Sequence, residues 1–143
     1  MKRALSLTVL MAVLALLCLP AAAYANGEYD SHQREFEAEA YYDALEVCAM
    51  QIREMTDFEP EIAVVLGSGL GDYADNIEVV DEIPYSEIKG FPVSTAPGHE
   101  GKLIFGTYKG KNVVLMKGRI HYYEGYSMYD VVLPLRTISL LGV

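Results

Sequence analysis

Cysteine is scarce in this chain. There are two in 143 residues, and Cys18 falls in an N-terminal stretch that reads as cleavable. Cys48 is then left alone, which excludes an intrachain disulfide and deprives export of the support that cysteine pairing gives. Cys18 is not a convincing lipidation site, because Leu17 precedes it where a small residue is expected. A second long apolar run is missing, so a polytopic membrane protein is excluded. No two His, Cys or acidic residues have a spacing suited to a metal, and none is expected. Repeats and low-complexity segments are also missing. Bases are nearly absent from the front of the chain: residues 28–87 hold 17 acids and two bases, whereas residues 88–143 hold three acids and seven bases. The net charge of −9 argues against a nucleic-acid partner. The basic last third can still serve a small anion, although most of its lysines read as solvated.

What is present begins with a leader. Lys2-Arg3, the uncharged apolar run from Ala4 to Leu19, the Pro20 break and the Ala23-Tyr24-Ala25 exit make residues 1–25 a signal peptide. The expectation is an exported protein, periplasmic or extracellular, with no stable membrane contact after cleavage. The mature chain keeps 118 residues, room for one modest domain. With 52% hydrophobic and 22% charged residues, it is globular.

Residues 26–60 read as a polar lead-in and a helix over residues 33–56. Tyr41, Leu45, Cys48, Ile52 and Met55 form one apolar stripe. The acids opposite lie toward the N-terminal half, where the helix dipole favours them. Cys48 on that stripe reads as core. Pro60 ends the helix. Residues 61–66 form a nearly continuous apolar strand, of the kind buried on both faces of a helix-covered sheet. Residues 77–83 form a second strand, closed by Pro84. Two more, residues 102–108 and 111–117, flank Lys109-Gly110, a hairpin signal. Ser127 caps a helix over residues 128–141. Pro134 kinks it or shifts its start, and Gly142 sits at its C′ position. Val143 then begins a strand that has no continuation, so the domain of residues 61–143 is expected to be incomplete.

Three stretches can carry chemistry. Gly67-Ser68-Gly69-Leu70-Gly71 follows a buried strand, and the N–H groups of such a loop can converge on an anion, with the Ser68 hydroxyl as a further donor. It matches neither a P-loop nor the full dinucleotide fingerprint, and alone it reads equally well as a tight turn. Gly118-Arg119-Ile120-His121-Tyr122-Tyr123-Glu124-Gly125-Tyr126 is polar and aromatic directly after an apolar strand. Arg119 offers a fork of donors for phosphate oxygens. His121 points the same way in extended chain, Glu124 can fix its tautomer, and Tyr123 supplies a flat face with a polar tip, suited to a sugar. His99, in Pro97-Gly98-His99-Glu100-Gly101, taken alone reads as an exposed loop histidine, and His32 as surface.

Together and in this order, these motifs resemble the trimeric purine nucleoside phosphorylase family. The matching stretches are residues 65–71, 91–101, 103–106, 118–126 and 134–143, nearly continuous from Ile62, and they cover about the first half of a member. The resemblance implies a mixed-sheet α/β phosphorylase fold with flanking helices, truncated after about half the domain. It implies a pentosyltransferase that splits purine (deoxy)ribonucleosides with phosphate, giving free base and (deoxy)ribose 1-phosphate. It assigns phosphate binding to Ser68, Arg119 and His121, with His99 on a loop that closes near the phosphate. It places Tyr123 at the ribose and has Glu124 orient His121; His121, Glu124 and His99 are the catalytic candidates. No cofactor is implied, since inorganic phosphate is a co-substrate, and the full-length protein is expected to be a homotrimer. The cleavage passes through a sugar with oxocarbenium character, which a held phosphate stabilises and then captures.

Two departures accompany the match. The family's base-gripping residues lie beyond Val143, so this chain is expected to be an inactive fragment, and the family is cytoplasmic whereas this chain opens with an export signal. The alternatives are an exported phosphate- or nucleoside-binding module without catalysis, and a methylthioadenosine phosphorylase-like enzyme.

Overall fold

In the computed structural model, the described residues are 31–143 apart from 68 and 95–100, with side chains from residue 37 onward. The signal peptide, Ser68 and His99 therefore lie outside the described residues. Residues 40–143 form one compact unit, distinct from the chain up to Glu39.

Helix α1 spans Ser31–Met55. Within the compact unit it buries Leu45, Cys48, Ala49 and Ile52, the 3–4 spacing of one helical face. The expected stripe holds except at its end, where Met55 is 43% exposed. Thr56 closes the helix instead: its N–H bonds to the Ile52 carbonyl at 3.0 Å. Its hydroxyl donates to Asp81 and accepts the Phe58 N–H, so the turn out of the helix is tied to strand β2.

Four strands follow: β1 Ile62–Leu66, β2 Glu78–Pro84, β3 Lys102–Tyr108 and β4 Lys111–Lys117. Among the described residues they form one mixed sheet in the order β1-β4-β3-β2. β1 is parallel to β4, and β3 is antiparallel to both neighbours. The hairpin turns at Lys109-Gly110, both with positive φ (50° and 76°), as a two-residue turn matched to strand twist demands. Between Val79 and Asp81 the register of β2 slips by one residue. Opposite this bulge, a Cβ on Gly106 would run into the Glu78 carbonyl, so the close approach of β2 requires glycine there.

Side chains alternate across the central pair. Leu103, Phe105, Val114 and Met116 face one way, joining Leu45, Cys48 and Ile52 of α1 and Leu133 and Ile138 further on. Ile104, Val113 and Leu115 face the other way, against Leu66, Ala74 and Ile77. A sheet covered on both faces needs such continuous apolar runs, and β3 and β4 show them. The expectation that β1 is equally buried needs correction. It is an edge of the described sheet, with Ile62 43% exposed and residues 63–65 half-buried. Its sequence is as apolar as that of β4, but only one of its edges is hydrogen-bonded.

Helix α2 spans Met128–Ser139. Ser127 caps it: its Oγ accepts the Asp130 N–H at 3.2 Å, and Asp130 Oδ2 accepts the Ser127 N–H at 3.1 Å, a reciprocal cap. Pro134 lies inside the helix and is buried. The helix stops two residues before the expected end, because its last turn tightens into bonds from Leu140 to Thr137 and from Leu141 to Ile138. Gly142 adopts the left-handed conformation (φ 103°), but one position later than C′. Tyr41 joins α1 to α2, with its hydroxyl on the Tyr129 carbonyl at 2.9 Å and its ring under the Arg136 guanidinium at 5.3 Å. Cys48 is 2% exposed, and burial pushes its thiol pKa up, in keeping with a packing role.

Candidate functional site

Because β1 and β4 are parallel and adjacent, with Leu66 paired to Lys117, the segments that follow them leave the sheet at the same end. That end, beyond the carboxyl ends of parallel strands, is where open α/β sheets bind ligands. Gly67–Gly71 and Gly118–Tyr126 are thereby neighbours by topology, although 51 residues separate Gly67 from Gly118.

The first segment closes a turn from the Leu70 N–H to the Gly67 carbonyl at 3.1 Å. Gly69 occupies its third position with φ 80°, the requirement of a type II turn. A short 3-10 helix, Gly71–Asn76, continues from it. Lys117 runs beside the loop, its Cε 3.6 Å from where a Cβ of Gly71 would stand. No local pattern separates this lysine from the other solvated ones.

In the second segment Ile120 is buried between exposed Arg119 and half-buried His121. This is the alternation expected of extended chain, and it sets Arg119 and His121 on the outer side. His121 is itself extended (φ −122°, ψ 146°), and the one-turn 3-10 helix Tyr122–Glu124 follows. That turn carries Glu124 back under His121. Glu124 Oε1 accepts the His121 backbone N–H at 3.0 Å and lies 3.4 Å from its Nδ1. The Glu124 side chain is 4% exposed and that of His121 26%. The His121 side chain in turn accepts the Glu124 backbone N–H, so the carboxylate and the backbone of Glu124 together hold the ring. Tyr123 stacks on the imidazole, with ring centroids 4.9 Å apart and planes 20° from parallel. Its ring remains 77% exposed, open to a ligand.

Two residues to which the motif reading assigns no role complete the arrangement. Ser94 Oγ donates to Glu124 Oε2 at 2.8 Å. Tyr126 holds the backbone of Val93 at both ends: its hydroxyl donates to the Val93 carbonyl at 2.6 Å and accepts the Val93 N–H at 3.2 Å. The start of the loop that carries His99 is thus fastened to the His121 segment. The structure therefore brings together Arg119, His121, Tyr123 and Glu124 in one segment, beside the glycine loop. Ser68 and His99 lie outside the described residues. Among the described residues, no group of His, Cys, Asp and Glu could hold a metal, and no helix is long and apolar enough to cross a membrane.

Comparison with known proteins decides the family. Residues 61–143, more than half of the chain, match the model of the phosphorylase superfamily. The chain belongs to the phosphorylase superfamily. Within this superfamily it is 50% identical over 100 residues to purine nucleoside phosphorylase 1 of Geobacillus stearothermophilus, covering 70% of this chain and 36% of that protein. Among solved structures, the purine nucleoside phosphorylase of Schistosoma mansoni in complex with acetate superposes with a TM-score of 0.66 at 46% identity, over 71% of this chain and 37% of the other. The same enzyme in complex with inosine gives 0.62 at 45% identity, over 71% and 35%. The superfamily chain described here thus spans little more than a third of the length of these relatives, and the mixed sheet with flanking helices is the part of their fold that it shares.

Proposed function

We propose that this chain supplies the phosphate- and ribose-holding part of a purine nucleoside phosphorylase site. The observation that carries the reading is the placement of Arg119, His121, Tyr123 and Glu124 next to the glycine loop, at the carboxyl end of the parallel pair β1 and β4. The substrate class comes from the relatives, one of which is a complex with inosine.

In the proposed reaction the C1′–N bond of the nucleoside breaks and its electron pair leaves with the purine, which takes up a proton. A phosphate oxygen forms the new bond to C1′, giving ribose 1-phosphate. Arg119 holds the phosphate with its planar donor fork. His121, its tautomer set by Glu124, contacts the same anion. Ser68 and His99 are proposed as further phosphate contacts. Tyr123 forms one wall of the ribose site. Holding the anion under the sugar replaces a bimolecular encounter by a positioned one and stabilises positive charge as it develops at C1′. The proposed assembly is a homotrimer, and no cofactor takes part.

A chimera tests the reading. Residues 61–143 replace the matching segment of the Geobacillus stearothermophilus relative, and turnover of inosine with phosphate is followed. Retained phosphorolysis by a chimera that sediments as a trimer is expected. Residues 26–143 by themselves are expected to give no turnover. A folded, assembled chimera without activity would overturn the proposal.

A further inference from the structure

We infer that Ser94 is a positioning residue of the anion site, acting on His121 through Glu124; this rests on the phosphate-holding role proposed above. Three links make the chain of contacts. The Ser94 hydroxyl donates to Glu124 Oε2 at 2.8 Å. The other oxygen, Oε1, accepts the His121 N–H at 3.0 Å and stands 3.4 Å from His121 Nδ1. The Glu124 side chain is nearly buried, 4% exposed, so protein contacts, these among them, orient its carboxylate.

A carboxylate can rotate about its last bond. A donor on Oε2 fixes that rotation and so fixes where Oε1 meets the imidazole. Ser94 stands thirty positions before Glu124, and what keeps it there is Tyr126, which bonds both the N–H and the carbonyl of Val93. Phe91 and Pro92, buried just upstream, anchor the same backbone from the core side. Ser94 thereby links the backbone that Tyr126 holds at Val93 to the residues that hold the anion.

The experiment uses the 143-residue chain with its imidazoles labelled with nitrogen-15, the His121 signals being assigned from His121→Asn. Without phosphate, His121 is expected to show one dominant tautomer. Ser94→Ala is expected to mix the two tautomers and to weaken binding of inorganic phosphate about three- to tenfold, the effect of losing one hydrogen bond to a charged group, felt indirectly. Ser94→Thr, which keeps the hydroxyl, is expected to restore both. Tyr126→Phe releases Val93 without touching Glu124 and is expected to shift the tautomer balance in the same direction. Circular dichroism establishes that each variant is folded. Unchanged tautomers in both folded Ser94→Ala and folded Tyr126→Phe overturn the inference. A tautomer change in Ser94→Ala, in a chain whose unsubstituted form binds no phosphate, supports the positioning role and overturns the phosphate reading instead.

Discussion

His121 and Glu124 meet because they stand three positions apart and one tight turn suffices to close the gap. Contacts of that kind are written locally, and spacing alone exposes them. Ser94 and Tyr126 reach partners 30 and 33 positions away, and no local pattern marks either. A serine before a threonine and a tyrosine after a glycine look like ordinary loop residues until the backbone brings them together. Lys117 escapes for the same reason: what distinguishes it is its place beside Gly71, 46 positions earlier in the chain. Cys48 was legible, since a thiol on an apolar helical stripe belongs to the core. Its 2% exposure and its raised thiol pKa give a direct expectation. A thiol-specific reagent at neutral pH should leave Cys48 untouched in the folded chain and modify it promptly in denaturant. Equal rates in both conditions would show that the α1 face is open.

At the scale of elements, boundaries were most legible where backbone chemistry is specific. Lys109-Gly110 marks the β3–β4 turn, and both strands span the apolar runs on either side of it. Ser127 and Asp130 close the reciprocal cap of α2. Replacing Ser127 by alanine is expected to destabilise the fold by about 1 kcal/mol, measured as a lower midpoint in urea. An unchanged midpoint would mean that the cap contributes nothing in this context. Burial was less legible. Residues 62–66 are apolar throughout, yet β1 is an edge of the described sheet and only Leu66 is fully covered. Hydrophobic runs report what a strand can bury, and strand order decides what it does bury. Met55 differs for a related reason: Thr56, bonded to Asp81, turns the chain away before the stripe completes another contact.

For the whole molecule, the order of the motifs carried more than any one of them. A glycine loop is a common turn, and an Arg-x-His pair is a common surface feature. Their joint placement follows from the parallel pairing of β1 with β4, a non-local fact that patterning cannot supply and that the family resemblance does. The charge split has a similar reading. Among the described residues, most acids before residue 88 lie on α1, the Gly71–Asn76 turn and β2, while Arg119 and Lys117 stand beyond and at the carboxyl end of β4. An anion approaching that end meets cations on a chain that otherwise repels it. The central claim is that this end holds phosphate through Arg119. Calorimetric titration of inorganic phosphate into the 143-residue chain tests it most directly, with Arg119→Ala run in parallel. The account predicts saturable binding that Arg119→Ala weakens about tenfold to a hundredfold, the loss of charge-assisted hydrogen bonds; binding of equal strength in both chains, or no saturable binding by the unsubstituted one, would contradict it.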